Sequence, residues 1–415
     1  MIKSLFLQKY QLLKLTEIMK STINMNILLY SSKSVYNSLS VGGAETSLKL
    51  IAEKFAANGF NTYYLSHLTN EKSNKTAFVE NGVKVYLFNP IKWPTPGGMF
   101  FPNLKHSFIR YQLLRKIYGL VIKHNIDIVH TYNEYPNTFD VLETKKKFGL
   151  KFRTVIRIAG LFWKVAVERN PKLKKDITYV LNNVDAVNLL SESFHSLFLN
   201  ELKKGNWEFN NNVILQDIGI NNNIFNGDWN DAGSNETKLL MVARFSDYQK
   251  RQDILIRALS VMKTDRVKLT FVGTGERRKE CESLVKELCL SNNVSFIDHV
   301  TQDELKEYYL NTHLNCLVTE FEGVPKSLLE AMSMGVPSVV SDVLPVNGYI
   351  VEGFNGYLAK NTPEDWANKI AEVIKNRSDL GNISSNSKKY VEENFNPDKN
   401  IKLYIENFKK IMEKS

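Results

Sequence analysis

Short apolar runs alternate with helix-like segments over most of this chain. The first run, Met25–Tyr30, is bounded by polar residues and is too short for an isolated helix, so it predicts a buried strand. After it, apolar residues recur at helical spacing from Leu48 to Phe55, and the pattern ends at Gly59. This segment predicts a helix with a glycine stop.

The same alternation continues through the first half of the chain. Further predicted strands lie at Thr62–Leu65, Val83–Phe88, Ile126–His130, Thr154–Ile158, Ala186–Leu190 and Val213–Leu215. The spacing between them leaves room for a helix in most of the gaps. Strands that alternate with helices predict a parallel sheet with helical crossovers.

A second alternating series follows a polar break at residues 221–237, which are rich in Asn, Asp, Gly and Ser. Its predicted strands are Leu239–Val242, Leu269–Val272, Val294–Ile297, Leu314–Val318 and Val336–Ser341. Its predicted helices are Ile254–Met262, Glu276–Leu290, Asp303–Asn311 and Lys326–Met334. The sequence therefore predicts an α/β protein with two doubly wound, Rossmann-like domains that face each other across a cleft.

The polar break also sets the predicted domain boundaries. The first domain covers residues 25–221, a linker covers 222–237, and the second domain covers 238–390. A C-terminal helix within 391–415 is expected to pack back toward the first domain. Since doubly wound sheets bind ligands at the carboxyl ends of their strands, we expect the main site in the cleft between the domains.

The first 24 residues stand apart from this pattern. They carry four lysines and one glutamate among leucines, isoleucines and a phenylalanine, which suits a basic amphipathic helix lying on a membrane surface. Because the first predicted strand begins with Met25, the segment is equally well interpreted as an upstream extension from a misassigned start. Both interpretations stay open.

Composition narrows the class of protein. The 415 residues are 43% hydrophobic and 24% charged, which is typical of a globular chain too long for one core. The three cysteines, Cys281, Cys289 and Cys316, support neither a disulfide framework nor a four-thiolate zinc site, and they fit a reducing compartment. No apolar run reaches the roughly 18 to 20 residues of a spanning helix, and no secretory signal pattern is found. We expect a cytoplasmic protein.

Charge separates the two halves of the chain. The net charge is +10, but residues 1–200 hold 27 Lys and Arg against 13 Asp and Glu, whereas the remainder holds 27 against 31. Segment 105–124 adds a basic amphipathic helix pattern, and 145–147 is a run of three lysines. A solvated helix face would also explain the pattern. Because no nucleic-acid-binding motif accompanies the charge, we expect peripheral contact with an anionic membrane, at the inner face of the cytoplasmic membrane, and no nucleic acid.

The most informative segment runs from Glu320 to Asp342. A predicted strand ends before it, a loop carries Glu322, and Pro325 is predicted at the first helical position, where its missing N–H costs nothing. Gly335 followed by Pro337 ends the helix. Its first N–H groups, at Lys326, Ser327 and Leu328, predict an anion site that favours phosphate.

Two glutamates flank this predicted phosphate site. Glu322 lies in the loop before it, and Glu330 lies about one turn inside the helix. Carboxylates on both sides suit the hydroxyl groups on either side of a diphosphate, which is what a sugar nucleotide presents. The alternative is a loop residue and a solvated helix face, which leaves the phosphate site unexplained.

These glutamates, with seven residues between them in EGVPKSLLEAM, resemble the signature of the retaining glycosyltransferases of family 4, which have the two-domain GT-B architecture. The resemblance extends in order along most of the chain, through the following segments: Gly42–Glu45, Asp127–His130, Asp185–Ser193, Gly219–Phe225, Ala243–Lys250, Val272–Glu276, Phe296–Val300 and Val351–Gly356.

The resemblance implies roles for individual residues. Glu322 would contact hydroxyls of the donor sugar and Glu330 the ribose, while Arg244 and Lys250 would neutralise the diphosphate. The remaining implied donor-binding residues are Gly43, Val300, Gly323, Val324, Pro325, Lys326, Ser327 and Leu328. It further implies transfer with retention of configuration, with no metal and no cofactor beyond the nucleoside diphosphate sugar as co-substrate.

Two departures from the family pattern bear on the site. The spacing from Arg244 to Lys250 is one residue longer than is common, so the phosphate cation is either Lys250 or Arg251. Many relatives carry a histidine after the strand at Thr154–Ile158, where this chain has Arg157 and no histidine. On the acceptor side, Arg157 and His130 are therefore the candidates, with His130 expected at a strand end facing the cleft.

The resemblance thus predicts a glycosyltransferase that moves a sugar to a hydroxyl of a glycan or lipid-linked acceptor, in bacterial surface polysaccharide synthesis. A sugar-nucleotide epimerase on the same architecture, or a non-catalytic subunit that binds sugar nucleotide, are the alternatives. The sequence does not name the donor sugar, the base, the acceptor or the linkage.

Overall fold

The computed structural model describes residues 25–33, 35–36, 43–68, 76–91, 102–231, 233, 236–245 and 249–414. The predicted N-terminal extension, residues 1–24, and Gly42 lie outside the described residues. None of the helices that the structure describes is long and apolar enough to cross a membrane.

The first domain is built on an eight-stranded sheet with the order β3-β4-β2-β1-β5-β6-β7-β8. Its strands are β1 (Asn26–Tyr30), β2 (Asn61–His67), β3 (Ala77–Glu80), β4 (Val83–Phe88), β5 (Ile128–Tyr132), β6 (Arg153–Arg157), β7 (Ala186–Leu189) and β8 (Val213–Leu215). Its helices are α1 (Gly43–Ala57), α2 (Pro102–His124), α3 (Phe139–Phe148), α4 (Phe162–Arg169), α5 (Leu173–Asn183) and α6 (Glu192–Lys204). Every pairing is parallel except that of β3 with β4.

The second domain has a six-stranded, fully parallel sheet with the order β11-β10-β9-β12-β13-β14. Its strands are β9 (Thr237–Val242), β10 (Val267–Val272), β11 (Val294–Ile297), β12 (Leu314–Leu317), β13 (Ser338–Ser341) and β14 (Tyr357–Ala359). Its helices are α7 (Gln252–Met262), α8 (Arg278–Glu287), α9 (Gln302–Leu310), α10 (Lys326–Ser333), α11 (Pro363–Lys375) and α12 (Leu380–Asn394).

The central strands are buried on both faces, as parallel sheets covered by helices require. All residues of β5, β7, β12 and β13 are buried. This burial explains why the strands show no alternation of apolar and polar residues; the polar residues that they contain, such as His130, Asn188 and Asn315, are buried with the apolar ones.

The last helix, α13 (Pro397–Glu413), returns to the first domain. Its Phe408 ring stacks on Phe55 of α1 with centroids 5.2 Å apart, and Tyr404 is fully buried in the same core. The chain therefore crosses between the domains twice, once after β8 and once before α13.

The predicted fold class, two parallel-sheet α/β domains, is confirmed. The sequence prediction missed β3, a partly exposed edge strand of four residues, and β14, which has only three. β3 alternates exposed and partly buried residues and so lacks a continuous apolar run, whereas the apolar run of β14 was overlooked although β8, of the same length, was predicted.

Candidate active site

The loop after β12 carries Glu322 at the carboxyl edge of the second sheet, toward the first domain. A Cβ built on Gly323 would lie only 1.9 Å from the carbonyl oxygen of Ala159, just past the end of β6. Glycine is therefore required here, since any side chain would force the loop away from the first domain. This close approach places Glu322 in the cleft.

Lys250 lies beside this loop, where its backbone pairs with Thr319. The Nζ of Lys250 contacts the Oε1 of Glu322, and both side chains are mostly buried, at 12% and 14% exposed. Burial and the nearby Arg244 guanidinium lower the pKa of Lys250 to about 7. Arg244 follows β9, is exposed, and lies close enough to Lys250 to act on its charge, while Lys250 contacts Glu322.

Arg251, the alternative phosphate cation, is engaged elsewhere. Its guanidinium donates to Asp253 at 2.9 and 3.0 Å and to Glu320 at 2.5 Å. The charge of Arg251 is therefore balanced by Asp253 and Glu320, and not by Glu322. Of the two neighbouring cations, Lys250 is the one that contacts Glu322.

Helix α10 begins beside Glu322, with one correction to the prediction. Pro325 is the N-cap rather than the first helical residue, and its carbonyl oxygen accepts a hydrogen bond from the N–H of Leu328 at 3.0 Å. The predicted free N–H of Leu328 is thus wrong. The N–H groups of Lys326 and Ser327, which precede the helical hydrogen bonding, remain for an anion. Val324 is buried beneath this turn.

Glu330 lies one turn inside α10. Its Oε2 accepts a hydrogen bond from the hydroxyl of Tyr309 at 3.2 Å, and the same hydroxyl also lies 3.0 Å from the carbonyl oxygen of Ser327. Burial raises the pKa of Glu330 to about 7, against the lowering effects of Tyr309 and Lys326. Glu330 lines a pocket between the domains whose other walls come from α1, the segment after β8, Asn81, Gln302 and Lys326.

Two glycines shape the neighbouring strand ends of the second sheet. Cβ atoms built on Gly273 and Gly275 would lie 2.2 Å from the carbonyl oxygen of Ala243 and 2.3 Å from that of Phe245. The turn after β10 therefore packs directly on the backbone around Arg244. Val300, which follows β11, is half-buried and packs on the core of the second domain.

The prediction that His130 faces the cleft is wrong. It lies within β5 and is fully buried, 5.5 Å between ring centroids from Phe408 of α13. Burial and then Arg157 lower its pKa to about 3, so the ring is neutral. Because β5 continues for two residues beyond it and α13 covers it, it offers nothing to an acceptor.

Arg157 is also fully buried, and the prediction that it meets the acceptor is wrong as well. Its Nη2 donates to Asp217 at 2.7 Å and its Nη1 to the hydroxyl of Tyr404 at 2.8 Å. The guanidinium is therefore bonded inside the protein, at the junction of β6, α13 and the segment after β8.

Sequence reasoning missed several polar residues near the cleft. Tyr30 and His67 end β1 and β2, and the Tyr30 hydroxyl lies 3.4 Å from the His67 Nε2. Tyr309 and Asp217 were also missed, because their importance comes from partners that are distant in sequence. For Tyr30 and His67 the available signal was their place at the carboxyl ends of two predicted neighbouring strands.

Within the described part of the chain, no group of three or more His, Cys, Asp or Glu side chains lies close enough to hold a metal ion.

Comparison with known proteins assigns the family. The family model described as glycosyltransferase family 4 matches residues 41–202, and that of the glycosyl transferases group 1 matches residues 229–390. The chain therefore belongs to the family 4 glycosyltransferases.

Individual relatives agree with this assignment. N-acetyl-α-D-glucosaminyl L-malate synthase of Bacillus anthracis is 24% identical over 298 residues, which is 70% of this chain and 77% of that protein. The O-antigen biosynthesis glycosyltransferase WbnH of Escherichia coli is 33% identical over 142 residues, 33% of this chain and 37% of that one. The chain thus spans little more than a third of the second relative.

Solved structures show the same fold. Sucrose-phosphate synthase from Thermosynechococcus elongatus superposes with a TM-score of 0.76 at 17% identity, covering 94% of this chain and 100% of that one. HepE of Anabaena, solved with UDP-glucose, gives a TM-score of 0.72 at 17% identity, covering 93% and 100%. The two facing domains are therefore a GT-B fold.

Proposed function

We propose that this glycosyltransferase moves a sugar from a nucleoside diphosphate donor to a hydroxyl of a glycan or lipid-linked acceptor, with retention of configuration. The contact of Lys250 with Glu322 beside the start of α10 carries the proposal. This ion pair and the two free N–H groups at the start of the helix that follows the Glu322 loop support it. Such a set would bind a diphosphate and the sugar attached to it.

The reaction follows from the charges at this point. When the glycosidic bond breaks, negative charge accumulates on the departing nucleoside diphosphate. Arg244, Lys250 and the N–H groups of Lys326 and Ser327 would stabilise that charge without reorganising. We therefore propose metal-independent transfer, in which the acceptor attacks from the face that the leaving group vacates and its proton passes to the leaving phosphate.

Before a donor binds, Lys250 and Glu322 are each other's partner. A donor would replace this contact, since its phosphate oxygens accept from Lys250 and its sugar hydroxyls donate to Glu322. Glu330, which lies 3.2 Å from the hydroxyl of Tyr309 and lines the pocket beside the start of α10, would accept from the ribose hydroxyls. The role in surface polysaccharide synthesis is proposed by analogy with relatives such as the O-antigen enzyme.

The test is donor turnover by the purified protein. A panel of nucleoside diphosphate sugars, beginning with UDP-sugars, is assayed by release of the nucleoside diphosphate, with and without a chelator. We expect one donor class to be consumed in either condition, and proton NMR to show the α-anomer first from an α-linked donor. Glu322→Gln should lower kcat about 10²-fold.

The matched control is Glu320→Gln, two residues earlier, because Glu320 pairs with Arg251 outside the site. It should keep activity within about threefold, as expected for an exposed ion pair. Donor binding without turnover in the presence of acceptor would contradict the proposal, and so would equal losses in the two variants.

We also propose peripheral contact with an anionic membrane through α2 and α3. Six basic residues are exposed on these two packed helices, together with three apolar ones: Lys105, Arg110, Arg115, Lys123, Lys146, Lys147, Leu104, Tyr111 and Ile122. Cations beside exposed apolar side chains suit an anionic lipid surface.

Co-sedimentation with phosphatidylglycerol vesicles should exceed that with phosphatidylcholine vesicles. Reversing Lys146 and Lys147 to glutamate should reduce it, and equal binding to both vesicles would contradict the proposal.

A further inference from the structure

A buried carboxylate joins the two domains behind the proposed donor site. Asp217 follows β8 in the first domain, and its side chain is 3% exposed. Its Oδ2 accepts from Arg157 of β6 at 2.7 Å, and its Oδ1 accepts from Lys326, the first residue of α10, at 2.6 Å. One carboxylate oxygen therefore binds a cation of its own domain, and the other binds a cation of the second domain.

Every group in this arrangement has further partners. Lys326 also donates to the carbonyl oxygen of Gly219 at 2.8 Å, and the N–H of Gly219 donates to Asp217 at 2.7 Å. Burial opposes ionisation of Asp217, but Lys326 and Arg157 outweigh it and lower its pKa. The carboxylate is therefore charged, and it is the link between the two cations.

The stem of Lys326 is held by the first domain as well. A Cβ built on Gly43, the first residue of α1, would lie 3.2 Å from the Cγ of Lys326. The lysine thus passes directly beside the start of α1 on its way to Asp217. A glycine leaves room for this passage, which gives Gly43 a role that does not require contact with a ligand.

Lys326 belongs to the same helix as Glu330 and supplies one of its two free N–H groups. We propose that Lys326 and Asp217 are positioning residues that clasp α10 to the first domain, and so keep the cleft closed around the donor. The effect of the clasp on donor binding rests on the proposed function. The contact between the two domains exists whether or not the protein binds that donor. Loss of the clasp lowers the fraction of molecules in the binding-competent arrangement, and apparent donor affinity falls by that fraction.

The main test variant is Lys326→Met, which keeps the length of the stem and leaves Asp217 paired with Arg157. Spin labels at Lys172→Cys and Lys286→Cys, exposed positions in different domains, report the distance between domains by electron paramagnetic resonance. The exposed Cys289 is changed to Asn, which tolerates its positive φ of 57°. We expect one narrow distance distribution in the parent protein and a broader or longer one in Lys326→Met.

Two further variants separate the clasp from general stability. Lys326→Arg, which keeps the charge, should restore the narrow distribution. Lys54→Met removes an ion pair with Asp398 that lies within the first-domain assembly, at 2.6 Å, and should leave the distribution unchanged. An unchanged distribution in Lys326→Met, or an equal broadening in Lys54→Met, would overturn the clasp.

Kinetics supply the second measurement. With a donor that the parent protein consumes, Lys326→Met should raise the donor KM about tenfold and lower kcat much less, because saturating donor restores the closed form. An equal loss in kcat with unchanged KM would contradict the clasp. If the parent protein consumes no donor, the proposed function fails while the distance measurement still decides whether the clasp exists.

Discussion

The hydroxyl of Tyr309 lies 3.2 Å from the Oε2 of Glu330 and 3.0 Å from the carbonyl oxygen of Ser327. Tyr309 is the last residue but one of α9 and is fully buried, so one hydroxyl connects a neighbouring helix to both the carboxylate and the first turn of α10. The orientation of Glu330 is thus fixed by a residue outside the glutamate motif.

Tyr309→Phe removes this hydroxyl and keeps the ring. We expect the free energy of unfolding to fall by about 1 kcal/mol, the usual net contribution of a hydrogen bond. The donor KM should rise about three- to tenfold, because Glu330 loses the group that orients it. Chemical denaturation and initial-rate kinetics measure the two effects. Tyr308→Phe, at the neighbouring partly buried position, is the control, and an unchanged KM in Tyr309→Phe would contradict the orienting role.

The raised pKa of Glu330 predicts a pH dependence of donor binding. With a pKa of about 7 instead of the ordinary 4.5, the carboxyl becomes an acceptor for two ribose hydroxyls only as pH rises through 7. Lys250, whose pKa is also lowered to about 7, loses its charge over the same range and acts in the opposite direction on donor binding. The ratio of the donor KM of Glu330→Gln to that of the parent protein isolates the effect of the carboxylate, and it should rise between pH 6 and pH 8. A ratio that stays constant or falls with pH would contradict the assignment.

The same shift has a stability consequence of known sign. Between pH 4.5 and about 7 the native state holds a proton on Glu330 that the unfolded chain has released. The contribution of this group therefore falls as pH rises through that window. Thermal unfolding of the parent protein and of Glu330→Gln at pH 5 and pH 8 checks this: the variant should lose less stability across the range.

The sequence was most informative where a local pattern of residues was enough to predict a single strand, loop or helix. The strand, the loop with Glu322 and the helix with its glycine stop are all local, so their order was predictable from residues 314–335. The predicted grouping of Arg244 and Lys250 with Glu322 depended on the resemblance to the family. The N-cap position of Pro325 differed by one residue, which is the usual uncertainty at a helix end.

Contacts between residues distant in sequence could not be predicted, as Arg157, His130 and Asp217 show. The first two lie at or near strand ends, which favoured the cleft, but their surroundings are set by α13, some 250 residues later. Asp217 gains its role only because Arg157 and Lys326 approach it from different domains. Such contacts leave no periodic signal, since they depend on how complete elements pack.

Gly323→Ala tests the close approach of the domains. Its Cβ would lie 1.9 Å from the carbonyl oxygen of Ala159, which forces backbone atoms of the two domains apart. We expect at least about a 10²-fold loss of donor turnover, since small displacements at a reacting centre have effects of that size. Gly119→Ala is the matched control: it lies exposed within α2 with no atom near its Cβ, and it should gain about 0.5 to 1 kcal/mol. Full activity of Gly323→Ala would show that the loop is free to move from Ala159.

His130→Phe tests the opposite kind of site, a buried polar group without function. Both ring nitrogens of His130 are buried with no hydrogen-bond partner, and its pKa is lowered to about 3. Between pH 6.5 and about 3 the histidine is protonated in the unfolded chain but neutral in the native state. The free energy of unfolding therefore falls as pH falls through this range, by about 2 kcal/mol at pH 5. His130→Phe should keep donor turnover and lose less stability than the parent protein between pH 8 and pH 5, measured by chemical denaturation. His106→Gln, at an exposed position, is the control and should show the pH dependence of the parent protein. Loss of turnover in His130→Phe at unchanged stability would show that His130 takes part in the reaction.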